Sequence, residues 1–225
     1  MTTDSGNLEN LLQSKKLFVF DFDGVIADSI EVKTEAFRTL YEQYGESVAQ
    51  KVVDHHRING GMSRYDKFTY YHQTFLDVKL DQNMMDELCD AFSELVVKKV
   101  IASPEINGIR LFLDQLYNMG KTCAVNSATP QEEIELIVHS KKLTKYFSEI
   151  YGSPSSKKQN LDNLMRQHGL ASRDVIFFGD DTADMLAAEE LNIEFIGVGV
   201  NSKKVFQNSD IQIHHLENFL GVSLQ

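Results

Sequence analysis

Residues 17–23 read LFVFDFD. The run Leu17-Phe18-Val19-Phe20 offers no polar side to water, so as a strand it must be covered on both faces. Such a strand belongs in the middle of a parallel sheet, and parallel neighbours require long crossovers, usually helical. The rest of the chain therefore has to supply further apolar strands separated by helices.

It does so downstream. Strands are predicted over 17–22, KTCAVNS (121–127), 149–151, DVIFFGD (174–180) and EFIGVGV (194–200). Helices are predicted between them over 109–119 ending at Gly120, from Thr129 with Pro130 in the first turn, over 156–168 and over 183–192. Strands alternating with helices predict an α/β fold with a three-layer, parallel-sheet core. One long interruption follows the first strand. From Asp28 to Ser103 there is no strand signal, only helical patterns, around 46–56, 63–77 and 81–100 after a first one. That first helix carries Val32, Ala36, Phe37, Leu40 and Tyr44 at helical spacing. Asp28 and Glu31 are spaced as a capping box at its start, and Gly45 is a stop. Pro104 closes the block. The expected division is a core of residues 1–27 and 104–225 and a helical domain of 28–103, with residues 1–14 a tail or short helix.

A length of 225 residues suits one large domain or a core with a smaller insert. The formal charge of −11 argues against nonspecific partners such as nucleic acid or an anionic membrane. No apolar run approaches the ~18 residues a membrane helix needs, and MTTDSGNLEN lacks the apolar centre of a signal peptide. Cys89 and Cys123 sit far apart in apolar segments and read as reduced core residues of a cytoplasmic protein.

Polar residues collect at the predicted strand ends: Asp21 and Asp23, Ser127, Lys157 and Lys158, then Asp180, Asp181 and Asp184. Open α/β sheets bind ligands outside the carboxyl ends of their strands, so these distant residues are expected to converge. Asp21 and Asp23 alternate with Phe18, Phe20 and Phe22 and share the opposite side. Several carboxylates in one small volume raise each other's pKa unless a cation neutralises them. Mg²⁺ suits oxygen ligands and a substrate phosphate. Lys157 and Ser127 supply a charge and a hydroxyl for that phosphate, and the helix beginning after Thr129 adds backbone N–H groups near Ala128.

The motifs DFDGV, VNSAT, GSPSSKK and FGDDTADM, in this order, resemble the haloacid dehalogenase superfamily, in its helical-cap group of β-phosphoglucomutase-like and phosphoglycolate phosphatase-like enzymes. The resemblance covers roughly 15–27 and 104–205, and implies that the helical block is a cap and that the strands stand in the order 5-4-1-2-3. It implies Asp21 as the nucleophile that forms an aspartyl phosphate, and Asp23 as general acid and then base. Mg²⁺ would lie between Asp21, the backbone carbonyl of Asp23 and Asp180, with Asp184 as a direct or supporting ligand. Ser127 and Lys157 would hold the phosphoryl group. Two departures stand out: the third motif lacks Gly-Lys-Pro order, so Lys157 takes the lysine's role with Lys158 adjacent, and Asp181 replaces a frequent Ser or Thr. In NGGMSRYDKF (59–68), a Gly-x-Ser-Arg turn similar to that of capped relatives implies that Arg64 reaches the cleft to bind substrate.

The expected function is Mg²⁺-dependent hydrolysis of a phosphomonoester, a small phosphorylated metabolite such as a sugar or sugar-acid phosphate. A sugar phosphomutase of the same fold, or a non-catalytic binding or regulatory protein, is the alternative. Asp23 speaks against dehalogenation, because a halide leaving group needs no proton. His55, His56 and His72 lack zinc-ligand company and read as ordinary histidines of the helical block. Phe68, Tyr70, Tyr71 and Phe75 read as its interior.

Overall fold

In the computed structural model, which describes residues 4–207, 209 and 213–224, β1 (Leu17–Phe20) is buried at all four positions. It has parallel neighbours on both sides. Leu17 pairs with Thr122 of β2 (Thr122–Pro130) and with Val175 of β4 (Val175–Gly179). β3 (Glu149–Ser153) lies beyond β2, and β5 (Glu194–Val198) beyond β4. The full order is β3-β2-β1-β4-β5-β6, with every pairing parallel. The first five strands stand in the order 5-4-1-2-3. The sixth, β6 (His214–Leu216), was not expected: its three half-buried residues, two of them histidine, carry no strand pattern. A helix, α1 (Asp4–Ser14), precedes β1, and residues 1–3 of the tail region lie outside the described residues.

Side-chain alternation splits the core into two faces. Phe18 and Phe20 join Phe178, with Phe20 stacked on Phe178 at 4.8 Å, under α6 (Ile109–Asn118) and α7 (Gln131–Ser140). Leu17, Val19 and Phe177 point the other way, under α8 (Lys157–His168) and α9 (Thr182–Glu190). The helices change face where β1 separates β2 from β4. This switch in strand order is where such sheets form a ligand crevice. Each fully buried Phe or Leu contributes about 1.5–3 kcal/mol, so the two apolar faces dominate the energetics of this layer structure.

Between β1 and α6 the chain is helical: α2 (Ile30–Tyr41), α3 (Glu46–Ile58), α4 (Arg64–Phe75) and α5 (Gln82–Ala102). Their interior is aromatic. Phe37 lies 4.3 Å from Phe92, and Phe68 and Tyr71 are fully buried beside it, while Tyr70 is partly exposed. The two chain crossings into this insert run side by side. The Asp28 N–H donates to Pro104 O and the Ile106 N–H to Ile26 O, both at 2.9 Å, around an antiparallel bridge of Ala27 with Glu105. This pairing displaces the expected capping box. The N-cap of α2 is Ser29, which makes no capping bond; Asp28 is held to the returning strand, and the Ser29 hydroxyl is turned to Asp23. Among the described residues no helix is long and apolar enough to cross a membrane.

Candidate active site

After Phe20 the chain leaves the ladder with the Asp21 N–H still bonded to Phe178 O at 2.9 Å, which fixes Asp21 at the carboxyl end of β1 next to β4. The turn that follows is wound tightly: the Ile26 and Ala27 N–H groups both donate to Phe22 O. Gly24 adopts φ +78°, and a side chain there would place its Cβ 2.7 Å from Asp180 Cγ. Glycine thus lets the β1 turn approach the aspartate at the end of β4. Gly179 does the same from the other side, since a Cβ on it would meet Asp184 Cγ at 2.6 Å.

These approaches bring together carboxylate oxygens of Asp21, Asp180 and Asp184 within 4.8 Å of one another, the one such acidic or metal-ligating group found among the described residues. Lys157, at the first position of α8, reaches into the group. Its ammonium lies 3.0 Å from Asp21 Oδ2 and in contact with Asp184 Oδ1. A cation is ill-placed at a helix N-terminus, so these two carboxylates are what hold it there. Asn126 in the middle of β2 secures the same turn, its Nδ2 donating to Lys157 O at 2.9 Å. Burial alone would lower the lysine's pKa; Asp184 and Asp21 outweigh it and leave the ammonium above its ordinary value. For the acids burial and like charge work together. Burial, opposed by Lys157 and reinforced by Asp23, raises Asp21. Burial with Asp21 and Asp184 pushes Asp180 well up. Burial, opposed by Lys157, takes Asp184 to about 8. Asp184 also accepts from the Asp181 N–H at 3.3 Å, while Asp181 Oδ1 accepts from Ala183 N–H at 2.9 Å, a reciprocal cap on α9. Three crowded carboxylates against one ammonium leave surplus negative charge in a dry site, which is a donor set for a divalent cation with a preference for oxygen.

Asp23 lies on the insert side and differs from the others. Its Oδ1 accepts from the Ser29 hydroxyl at 2.6 Å, and its Oδ2 is paired with Lys33 of α2. Burial would raise its pKa, but Lys33 and these bonds overcome that and hold it below the ordinary carboxylate range. Lys33 also donates to Thr129 Oγ1 at 2.8 Å, so one insert ammonium spans both the first and the second motif. Sequence reasoning missed Lys33, Thr129 and Asn126. Lys33 sits at the inward position of α2 one turn after Ser29, and that phase is the one signal that would have singled it out.

The remaining expected residues fall as follows. Ser127 is buried within β2, which runs on to Pro130 past the register shift after Asn126, and its Oγ accepts from Thr129 N–H at 3.1 Å; Ala128 lines the cleft. Lys158 turns outward to pair with Glu190. Arg64 does not reach the cleft. Its guanidinium is buried and makes two bonds to Glu133 of α7, at 2.8 and 2.7 Å, with Ser93 Oγ at 2.7 Å and the Phe92 ring beneath it. A carboxylate within reach in a dry setting matches the guanidinium fork with two charge-assisted bonds and holds it there. The Gly60-Gly61 pair ahead of it packs on Asp181 instead: a Cβ on Gly61 would lie 2.9 Å from Asp181 Oδ1. None of the three histidines of the insert joins the acidic group. His56 Nδ1 is bonded to the buried Lys67 ammonium at 2.8 Å, and burial with Lys67 depresses His56 to about 2. Burial in turn lowers Lys67 to about 7.

Asp21, Asp23 and Asp180 form the floor of a cleft of about 790 Å³ between insert and sheet, with Asp184 fully buried, lined on the insert side by Lys33, His56 and Gly60 and on the sheet side by Thr182 and Val198.

Comparison with known proteins agrees with this geometry. The chain is 25% identical over 188 residues to a phosphoglycolate phosphatase of Aliivibrio fischeri, covering 80% of this chain and 82% of that one. It is 22% identical over 189 residues to a phosphoglycolate phosphatase of Pseudomonas savastanoi, covering 81% and 69%. In fold it is similar to the crystal structure of β-phosphoglucomutase from Clostridium difficile, with a TM-score of 0.76 at 16% identity over 93% of both chains. The sequence model of the haloacid dehalogenase-like hydrolases matches residues 18–198, from the first buried strand to the last residue of β5. With that match spanning the strands, the acidic group and the insert alike, the chain belongs to the haloacid dehalogenase-like hydrolase family.

Proposed function

We propose that the protein is a Mg²⁺-dependent phosphomonoester hydrolase that acts on a small phosphorylated metabolite through an aspartyl-phosphate intermediate. The observation that carries this reading is the convergence of Asp21, Asp180 and Asp184 around one buried lysine at the sheet's switch point. The relatives named as phosphoglycolate phosphatases support a phosphate ester as substrate, and sugar or sugar-acid phosphates are the first to try.

Asp21, Asp180 and the backbone carbonyl of Asp23 would hold the Mg²⁺, with Asp184 supporting. The ion would neutralise the crowded carboxylates and the phosphoryl oxygens. Asp21 attacks phosphorus, the phosphorus–oxygen ester bond breaks, and Asp23 gives its proton to the departing oxygen. Asp23 then takes a proton from water, which attacks the aspartyl phosphate, frees inorganic phosphate and restores Asp21. Lys157 and Ser127 hold the phosphoryl oxygens and stabilise charge as the bond breaks. Lys33 keeps Asp23 ionised in the arrangement seen, so Asp23 must leave that pair and take up a proton from solvent before it serves as an acid. The insert, residues 28–103, acts as a cap over this chemistry and the core comprises 1–27 and 104–225.

A phosphomutase reading needs a second phosphate held while the intermediate turns over. The insert arginine expected for such a clamp, Arg64, is spent on Glu133, which favours the hydrolase. The test is phosphate release from a panel of sugar phosphates, acid phosphates and nucleotides, with EDTA and with Mg²⁺ restored. Release that stops with chelation, resumes with Mg²⁺ and is abolished in Asp21→Asn is expected. Turnover in Asp21→Asn at the wild-type rate would overturn the mechanism.

A further inference from the structure

Away from its acidic floor the cleft changes character. Ile58 at the end of α3 is 72% exposed, Val200 just after β5 is 75% exposed, and Val205 of α10 (Ser202–Val205) is 40% exposed; all three line the cleft. Scattered aliphatic residues on a surface are ordinary. Here one comes from the insert and two from the core segment after β5, and all three line the same cleft, so exposed apolar side chains stand on both sides of a crevice, a contact waiting to be made. Two of them sit next to a cation: Arg57 precedes Ile58 and Lys204 precedes Val205, and both cations line the same cleft. Arg57 is shared with Glu31 at 3.3 Å, whereas Lys204 has no ion-pair partner among the described residues. In a chain of net charge −11, the mouth of this cavity is thus apolar and cationic while its floor is anionic.

Resting on the hydrolase reading above, we infer that the leaving group is an acid with an apolar body: a phosphomonoester whose aromatic or branched portion packs on Ile58, Val200 and Val205 and whose far carboxylate meets Lys204. The phosphoryl group has its place among the acids, so the rest of the substrate must lie in the part of the cleft that these residues line. A polyhydroxylated body would find partners in Asn201 and Gln207 of the same lining, but where it lies on Ile58, Val200 and Val205 it would set hydroxyls against methyl groups that cannot bond them. A two-carbon acid phosphate would leave most of a 790 Å³ cleft unfilled, a volume within the ~300–1,000 Å³ of sites that enclose drug-sized ligands.

The experiment compares kcat/KM for primary alkyl phosphates, which present similar leaving oxygens: 4-carboxybenzyl phosphate, benzyl phosphate, glucose 6-phosphate and phosphoglycolate. The expected order puts 4-carboxybenzyl first, then benzyl, with both above the others. Lys204→Ala should cut the preference for carboxybenzyl over benzyl about fivefold, the scale of one exposed charge contact, and the loss should shrink at high salt. Ile58→Ser with Val200→Ser should cut the preference for benzyl over glucose 6-phosphate about tenfold. Glucose 6-phosphate or phosphoglycolate outrunning both benzyl esters, or preferences unmoved in these variants, would overturn the inference. If the wild-type protein releases phosphate from none of the esters, the hydrolase reading fails separately. Calorimetry with benzylphosphonate and 4-carboxybenzylphosphonate then decides the cleft: tighter binding of the carboxylated probe supports the assignment, and equal or absent binding rejects it.

Discussion

The pair Arg64–Glu133 ties the insert to the sheet layer, and its worth can be worked out. The guanidinium fork makes two bonds of 2.8 and 2.7 Å, and the Arg64 side chain is 4% exposed against 19% for Glu133. Charges about 4 Å apart at an effective dielectric near 20 attract by ~4 kcal/mol. Replacing Glu133 by Gln leaves a buried guanidinium short of its counter-charge, a loss of roughly 3–5 kcal/mol. Each kcal/mol moves the melting temperature of a chain this size by about 2–4 °C, so Glu133→Gln should melt roughly 10 °C lower. Arg64→Met should lose less, because Glu133 retains Ser93 at 2.6 Å and partial access to water. The double variant Arg64→Met with Glu133→Gln removes both charges and should return to within about 2 kcal/mol of the wild type. Urea unfolding followed by circular dichroism, run as a double-mutant cycle at pH 7, gives the coupling directly, expected near 3 kcal/mol. Strictly additive single variants would refute the pairing. So would Arg64→Met that unfolds like the wild type but raises KM, because Arg64 would then be serving substrate in the cleft.

Asp180→Asn should raise the melting temperature measured in EDTA, because burial with Asp21 and Asp184 holds Asp180 far above its ordinary pKa and its charge is unfavourable there. It should also abolish the upward shift that Mg²⁺ gives the wild type; an unchanged Mg²⁺ shift by calorimetry counts against the ligand assignment. Gly24→Ala should cost about 2 kcal/mol or more, from a φ of +78° and from a Cβ driven toward Asp180; denaturation at wild-type urea concentrations would show the turn to be looser than described. Lys67 titrates near 7 folded but ~10.4 unfolded. The unfolded chain therefore binds more protons across that window, and Lys67 makes stability climb as pH rises through it, by roughly 5 kcal/mol in all. Lys67→Met should flatten this climb; parallel stability–pH curves for the two proteins would contradict the burial of that ammonium.

What the sequence disclosed and what it withheld divide along the range of the interactions involved. Strands over 17–20, 175–179 and 194–198 announce themselves because burial on both faces demands continuous apolar residues. The acidic convergence was legible for a related reason, since parallel strands put their carboxyl ends on one edge of a sheet. The roles of individual polar side chains were less legible. Arg64 in its Gly-x-Ser-Arg turn gives no hint of Glu133, which lies 69 positions on. Lys33 and Thr129 meet across 96 positions. The Asp28 capping box satisfied every local rule and lost to Pro104, a partner brought in by the chain's return from the insert. β6 is short and polar enough that only the open edge of β5 explains it.

The paired crossings at Ala27 and Glu105 have a consequence for how such a molecule can be rebuilt. Because the outgoing and returning segments are already hydrogen-bonded neighbours, the intervening stretch is spliced in at a single seam. A tight turn across that seam would close the chain over the sheet without stretching it. Helical modules of other sizes could equally be grafted there, so the seam makes the helical insert an exchangeable part, one that gene fusion could vary while the acidic edge of the sheet stays fixed.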